Sequence, residues 1–333
     1  MTANARRNTV RLTILLVLLL AAVLMGIRVG AVGLSLADII GAFTGRADDA
    51  TQSIVLGLRT PRVALAALCG SALALSGSTC QALLRNPLAD PYILGISSGA
   101  AVGAVAAVVL ARDTGPVWLL PAAAFAGSLG ALALVLRIAT IAGEGLDSRV
   151  LILAGVVVAA LGNAIVLLFL TFADVESFRV AMFWMMGSLS GATWQRVGTL
   201  GVPLVAAGLI LFGYARSLDT LAIGETTAAA LGVRVERTKR ICFILASLLA
   251  AVSVSVSGVV GFVGLVTPHA IRLLWGSQHR FLLPAAALLG ATFLVIADLG
   301  ARSIVRGAEL PLGVVTALVG VPFFVVLLRR RDA

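Results

Sequence analysis

The amino-acid sequence predicts an all-α polytopic membrane protein of about ten transmembrane helices, and three observations carry that prediction. Of the 333 residues, 60% are hydrophobic and only 12% charged, with mean hydropathy +1.09, a composition that cannot face water over a whole surface. The apolar residues fall in continuous runs of roughly 20, the length a helix needs to cross a ~30 Å hydrocarbon core. Barrel strands would alternate instead, and lipid offers backbone groups no hydrogen bonds, so continuous spans must be helical. The basic residues, finally, gather in alternate loops.

Taken in order, the first run (12–27) follows Arg6, Arg7 and Arg11 and lacks a clean small-x-small cleavage site, so it reads as a retained helix and not a signal peptide. The second (63–84) ends near Arg85, because Pro87 and Pro91 each remove a backbone donor and disfavour helix just before them. The third (93–111) begins near Ile93. Runs at 117–136 and 150–172 follow, the latter unusually poor in charge. The stretch VAMFWMMGSL (180–189) is too brief to span. The remaining runs are 197–215, 241–263, a short one at 266–278, 281–301 and 310–328.

With a cytoplasmic amino terminus, ten crossings place Arg6, Arg7, Arg11, Arg85, Arg137, Arg149, Arg216, Arg234, Arg237, Lys239, Arg240, Arg280, Arg329, Arg330 and Arg331 inside. Arg28, Arg46, Arg59, Arg62, Arg112, Arg179, Arg196, Arg302 and Arg306 fall outside, with Arg272 within a span. The bias has the sign of the positive-inside rule. The net charge of +10 therefore reads as topology and contact with anionic lipid, and not as a nucleic-acid surface.

Little catalytic chemistry is visible. Cys69, Cys80 and Cys242 lie in apolar runs without CxxC spacing and read as small core residues. His269 and His279, one beside Pro268 and one beside Arg280, make no metal-ligand spacing and read as structural. Ser253, Ser255 and Ser257 read as bonding back to helix carbonyls. Lys239 is the only lysine and is preceded by Thr238, so the phosphate-cradling pattern GxxxxGK[ST] is absent; if ATP drives this protein, another polypeptide hydrolyses it, and no cofactor is expected in this chain.

The stretch LAIGETTAAALGVRVERTKR (221–240) stands out against this background. Glu225, Thr226 and Thr227 start a short helix, three alanines continue it and Gly232 stops it, with Val233 and Val235 adding apolar contacts beyond. It reads either as a solvated loop with an interfacial helix or as a plug for a groove on a soluble partner. RNPLADPYILGISSGA (85–100) similarly reads as a tight turn or a pathway constriction. Arg59 and Arg62 share one helical face beside Pro61, suited to snorkelling or to carboxylate pairing, and Asp298 can hold Arg302 as an i,i+4 pair. Ser76-Gly77, Pro87 and Gly95 recur 181 residues later as Ser257-Gly258, Pro268 and Gly276. That suggests an inverted repeat of helices 2–5 and 7–10, with residues 76–100 reaching the cytoplasmic side and 257–276 the opposite face.

LRTPR (58–62), SGSTCQALLRNPLADPYILGISSGA (76–100), WMMGSLSGATW (184–194), SGVVGFVGLVTPHAIRLLWGSQHRFLLP (257–284), ADLGAR (297–302) and ELPLGVVTALVGVPFF (309–324) together resemble the FecCD-type permeases. These are membrane subunits of ABC importers for ferric siderophores, haem and cobalamin. The likeness covers roughly residues 55–328, the one noted departure being Ile223 where leucine is common. It implies a type II importer permease fold in the bacterial cytoplasmic (inner) membrane, with both termini cytoplasmic. It implies that residues 219–236 dock on the ATPase, through Gly224, Glu225, Ala229, Leu231, Gly232 and Val233. It implies a cytoplasmic gate at Asn86, Pro87 and Leu88 with Gly143 and Asp147 of GEGLDSR beside it, and docking of a binding protein on Arg59, Arg62 and Arg302. Residues 180–189 look like a re-entrant outer helix, and the fifth and tenth helices would line the route. The implied partners are a second permease copy or homologue, two ATP-binding subunits holding ATP and Mg, an extracytoplasmic binding protein and membrane lipid, with no nucleic acid. Ferric siderophore is the family's commonest cargo, with haem and cobalamin behind it. The rival is an ion-gradient-driven secondary transporter, which would need an intramembrane carboxylate; Asp298 is the best candidate.

Overall fold

The computed structural model describes residues 3–30, 32–111, 115–141, 146–305 and 308–329, and every regular element among them is helical. In chain order these are α1 (Ala3–Arg28), α2 (Leu36–Phe43), α3 (Asp49–Gln52), a π-helical turn (Ser53–Arg59), α4 (Thr60–Leu83), a 3-10 turn (Pro91–Leu94), α5 (Ile96–Ala111), α6 (Leu119–Ile141), α7 (Ser148–Thr171) and α8 (Val175–Met185). They continue as α9 (Trp194–Gly213), α10 (Ala215–Ile223), α11 (Glu225–Ala230), α12 (Val235–Ser257), α13 (Val263–Trp275), α14 (His279–Ala301) and α15 (Leu312–Arg329).

Helix α4 is the spine. It is buried along nearly its whole length, and α12, α13 and α14 pack around it. Small residues make this possible. A Cβ on Gly70 would lie 2.1 Å from the Gly290 carbonyl oxygen, and one on Gly290 would lie 2.4 Å from that of Gly70. The α4 and α14 backbones therefore touch, as helices do in lipid, where close van der Waals packing replaces the hydrophobic drive. Ser76 Oγ donates to Ala246 O at 2.6 Å and fixes the height of α12 against α4.

Seven helical stretches are long and apolar enough to cross a membrane: Ala5–Arg28, Asp49–Leu83, Leu119–Ile141, Ser148–Thr171, Trp194–Gly213, Val235–Ser257 and His279–Ala301. The other three expected crossings correspond to helices of 16 (α5), 13 (α13) and 18 (α15) residues. At 1.5 Å per residue α13 rises only about 20 Å, short of the hydrocarbon core and as brief as the short run expected at 266–278.

The shortening has a local cause. The expected run 241–263 is broken where α12 stops at Ser257; Gly258 takes φ 68°, and Phe262, also at φ 68°, starts α13. The freed backbone groups meet protein. Ser188 N donates to Ser257 O at 2.8 Å, while Leu312 N and Gly313 N donate to Gly187 O and Met186 O, each at 3.0 Å. The end of α8, the α12–α13 break and the start of α15 thus close one another's hydrogen bonds, as irregular backbone at membrane depth requires. The outer helix expected at 180–189 is α8, Val175–Met185, displaced toward the amino terminus because Asp174 caps it through Ser177 N at 2.9 Å. Of the residues matched 181 positions apart, Gly95 and Gly276 both end a helical element at positive φ, 75° and 103°, whereas Ser76-Gly77 lie inside α4 but Ser257-Gly258 end α12, and Pro87 follows α4 while Pro268 sits inside α13.

Candidate functional site

At one end of the bundle α10 and α11 form a hairpin between α9 and α12. Gly232, at φ 83°, closes α11 with a Schellman motif: its N–H donates to Ala229 O and that of Val233 to Ala228 O, both at 3.0 Å. Ala228 is fully buried and Gly224 is buried, while Val233 packs on the core. Ala229 is exposed, and Ile223 and Leu231 are 74% and 66% exposed. An apolar tip on a rigid base is what docking in a partner's groove needs.

Two polar links hold that base. Lys239 Nζ, on α12 and 2% exposed, donates to Glu225 Oε1 at 2.9 Å. Asp219 Oδ1, on α10, accepts from His279 N at 2.8 Å and lies 2.7 Å from His279 Nδ1. His279 is the first residue of α14, so Asp219 supplies an acceptor to an orphan N–H at a helix amino terminus. Movement of the hairpin is thereby tied to α12 and α14, the two helices that flank α4. Sequence reasoning placed His279 as structural but missed its partner, 60 residues away, and left Lys239 unpaired.

The same end holds the turn after α4. Asn86 Oδ1 accepts from Leu88 N at 2.9 Å, making a tight Asx turn after Arg85, which sits at φ 48°. Pro87 and Leu88 line a cleft too narrow to admit a water molecule, with Leu265, Val266 and His269 of α13 and Phe323 and Phe324 of α15. Asp147 caps α7 through Arg149 N at 2.7 Å, and the adjacent Ser148 Oγ donates to Leu83 O at 3.1 Å, so a hydrogen bond joins the α7 start to the α4 end. Gly143 lies outside the described residues. Arg272 of α13 donates to Gln81 Oε1 on α4, and Gln81 Nε2 donates to Gly264 O and Leu265 O at 3.3 Å.

At the opposite end the structure brings Arg59, Arg62 and Arg302 together, but turns them inward. Arg59 is 8% exposed and donates through Nη1 to Ile27 O (2.9 Å) and Arg28 O (3.0 Å), and through Nη2 to Val32 O. Arg302 donates to Val29 O at 2.9 Å and to Gly26 O, and its Nε lies 3.4 Å from Asp298 Oδ2. Both therefore cap the orphan carbonyls that end α1. Arg62 forks two carboxylates, Asp298 at 2.9 Å and Glu309 at 2.8 Å. Its guanidinium holds the Glu309 carboxyl below the usual carboxylate range. Glu309 went unnoticed in the sequence because it lies 247 residues from Arg62. A concavity of about 510 Å³ still opens over the three arginines.

Elsewhere, Ser253, Ser255 and Ser257 do bond back to carbonyls, of Leu249, Val252 and Ser253, at 2.7–2.8 Å. The three cysteines are free and buried. Among the described residues no group of three or more His, Cys, Asp or Glu could hold a metal ion. Helix α7 exposes Leu153, Val157 and Leu161, and α15 exposes Leu318 and Val325, all of them apolar.

These features agree with what the chain is similar to. The profile of the FecCD transport family matches residues 17–330. A cobalamin import system permease protein, BtuC, of Halobacterium salinarum is 45% identical over 284 residues, covering 85% of this chain and 75% of the relative. A hemin transport system permease protein, HmuU, of Yersinia pestis is 40% identical over 324 residues, covering 96% and 95%. A solved inward-facing metal-chelate type ABC transporter superposes with TM-score 0.86 at 33% identity, over 96% of this chain and 98% of that one. The chain therefore belongs to the FecCD transport family, as a multi-pass permease subunit of an ABC importer whose ATP hydrolysis resides on separate subunits.

Proposed function

We propose that the chain forms, with a second copy or a homologous permease, the gated pathway for a bulky metal chelate, driven by two ATP-binding subunits at the α10–α11 hairpin and supplied by an extracytoplasmic binding protein. The observation that carries this reading is the hairpin itself, an exposed Ile223–Leu231 tip on a base locked to α12 and α14. ATP binding moves the tip, and the two links convey the displacement to the helices around α4 and so to the Asn86–Leu88 turn. To alternate access it must favour one gate state by a differential free energy.

The hairpin end is cytoplasmic in this reading, with both chain termini on that side and ten helices in all, the three short ones completing their crossings through buried loops. The assembly sits in a bacterial inner membrane. The uncharged faces of α7 and α15 line the route and bind cargo weakly, which suits a conduit that must release. The relatives' names favour cobalamin and haem among chelates, and ferric siderophores belong to the same chemical class. A carboxylate-coupled secondary transporter finds no support in Asp298, which is 2% exposed and engaged by Arg62 and Arg302.

The test replaces Ala229 or Leu231 with cysteine in the assembled transporter. Cross-linking to the ATPase, together with uptake stopped by vanadate, is the expected result. Uptake that survives vanadate and collapses with an uncoupler, ATP being intact, contradicts the reading.

A further inference from the structure

Helices α6 and α9 both pack on α12, and a gap is left between them at the end away from the hairpin. Between them lies a cavity of about 670 Å³, lined by Trp118 just before α6, Phe125 of α6, Thr199 and Pro203 of α9, and Val252 and Val256 of α12. An adjoining recess of about 180 Å³ runs from it past Ser190 to Ser257 and Gly258 at the end of α12. The flanks are strongly apolar and open outward: Val117 is 85% exposed, Trp118 64%, Val202 73% and Val205 60%. In a membrane that exposure faces acyl chains.

Arg196, in the first turn of α9, lines both cavities. Its guanidinium lies over Gly191, so closely that a Cβ there would stand 2.8 Å from Nη1. It is half-buried, and the described residues give it neither an acceptor nor an ion pair; no Asp or Glu lines either cavity. The contrast with Arg59, Arg62 and Arg302 at the same end, each of which donates to carbonyls or carboxylates, is direct. A half-desolvated cation beside an apolar slot lacks the counter-charge that burial requires.

We propose that this slot holds one anionic glycerophospholipid per chain, with its phosphate on Arg196 and an acyl chain lying against Val252 and Val256. A phosphodiester suits the guanidinium fork, and the apolar walls select a ligand with a tail over a soluble anion. The lipid bears on the last turns of α12, the helix whose other end carries Lys239.

The test uses the purified, delipidated transporter and phosphatidylglycerol as the probe, with bound lipid counted by native mass spectrometry. The wild type retains one lipid per chain at this site. Loss of a charge-assisted hydrogen-bonded pair lowers its affinity by at least about tenfold in Arg196→Gln. Ala122→Trp, which fills the exposed slot without touching the charge, lowers it similarly. Arg179→Gln, an exposed arginine paired with Glu176, changes nothing, and melting temperatures without lipid stay matched. Unchanged binding in Arg196→Gln or Ala122→Trp overturns the proposal. So does inorganic phosphate displacing the lipid at equal concentration, uncharged diacylglycerol binding as well, or a Thr199→Cys cross-link showing that a second chain covers this face.

Discussion

The two ends of the bundle use buried polar links for opposite purposes. Opposite the hairpin, Arg59, Arg62 and Arg302 point inward, two of them onto the last carbonyls of α1 and the third onto Asp298 and Glu309. At the hairpin, Lys239–Glu225 and His279–Asp219 lie beneath an apolar tip that points out. The first arrangement braces α1, α4 and α14 against one another. The second stiffens a lever while leaving its contact face free. Charge at a span end is thus no guide by itself to a docking surface; what matters is which partners the fold leaves within reach.

The largest effect that sharpens this contrast is at Asp298. Asp298→Ala leaves Arg62 and Arg302 without their buried counter-charge, and removing one partner of a buried pair costs about 3–5 kcal/mol. A large drop in melting temperature in detergent is expected; normal melting with lost binding-protein affinity would instead make the cluster a docking device. Next, Leu231→Asp places a carboxylate on the exposed tip and lowers ATP-driven uptake by about tenfold or more, equivalent to about 1.4 kcal/mol, with melting unchanged. Were it to unfold the protein, the tip would belong to the core.

A smaller effect is expected in the Glu225–Lys239 link. Lys239→Met and Glu225→Gln together are less damaging than their sum, with a coupling of about 1 kcal/mol in a double-mutant cycle, and the reversed pair Glu225→Lys with Lys239→Glu recovers part of the uptake. Strict additivity would mean that the pair transmits nothing. Smallest is the pH response of Glu309. Its folded pKa lies below the ordinary value of 4.5 because Arg62 hydrogen-bonds it, so its stabilisation is present at neutral pH and is lost as pH falls through the depressed value. Wild type and Glu309→Gln should therefore converge in melting temperature on acidification, and a gap that widens would reverse the assignment.

Much of this was legible in the sequence because it is local. Composition and run length gave the helical membrane class, and alanines followed by Gly232 gave α11 with its Schellman stop. Proline chemistry placed the break after α4 within a few residues. What stayed hidden is contact between distant segments. The apolar run 241–263 reads as one span, and only the docking of Ser188 and Leu312 near Ser257 shows why it stops early. The sequence offers Arg302 its i,i+4 partner Asp298, but that Arg59 and Arg302 also cap the α1 carbonyls shows only once the fold brings α1 beside them. The 181-residue recurrence rested on residue types alone, which anticipate the shared positive φ of Gly95 and Gly276 but do not say that Pro87 sits in a turn and Pro268 in a helix.

The most direct measurement is uptake into proteoliposomes by the chain alone and by the complete transporter. With companion ATPase and binding protein, the cargo accumulates only while ATP is hydrolysed, and Leu231→Asp separates hydrolysis from accumulation; the chain alone accumulates nothing. Uphill accumulation by the chain alone, under any ion gradient, would contradict the account.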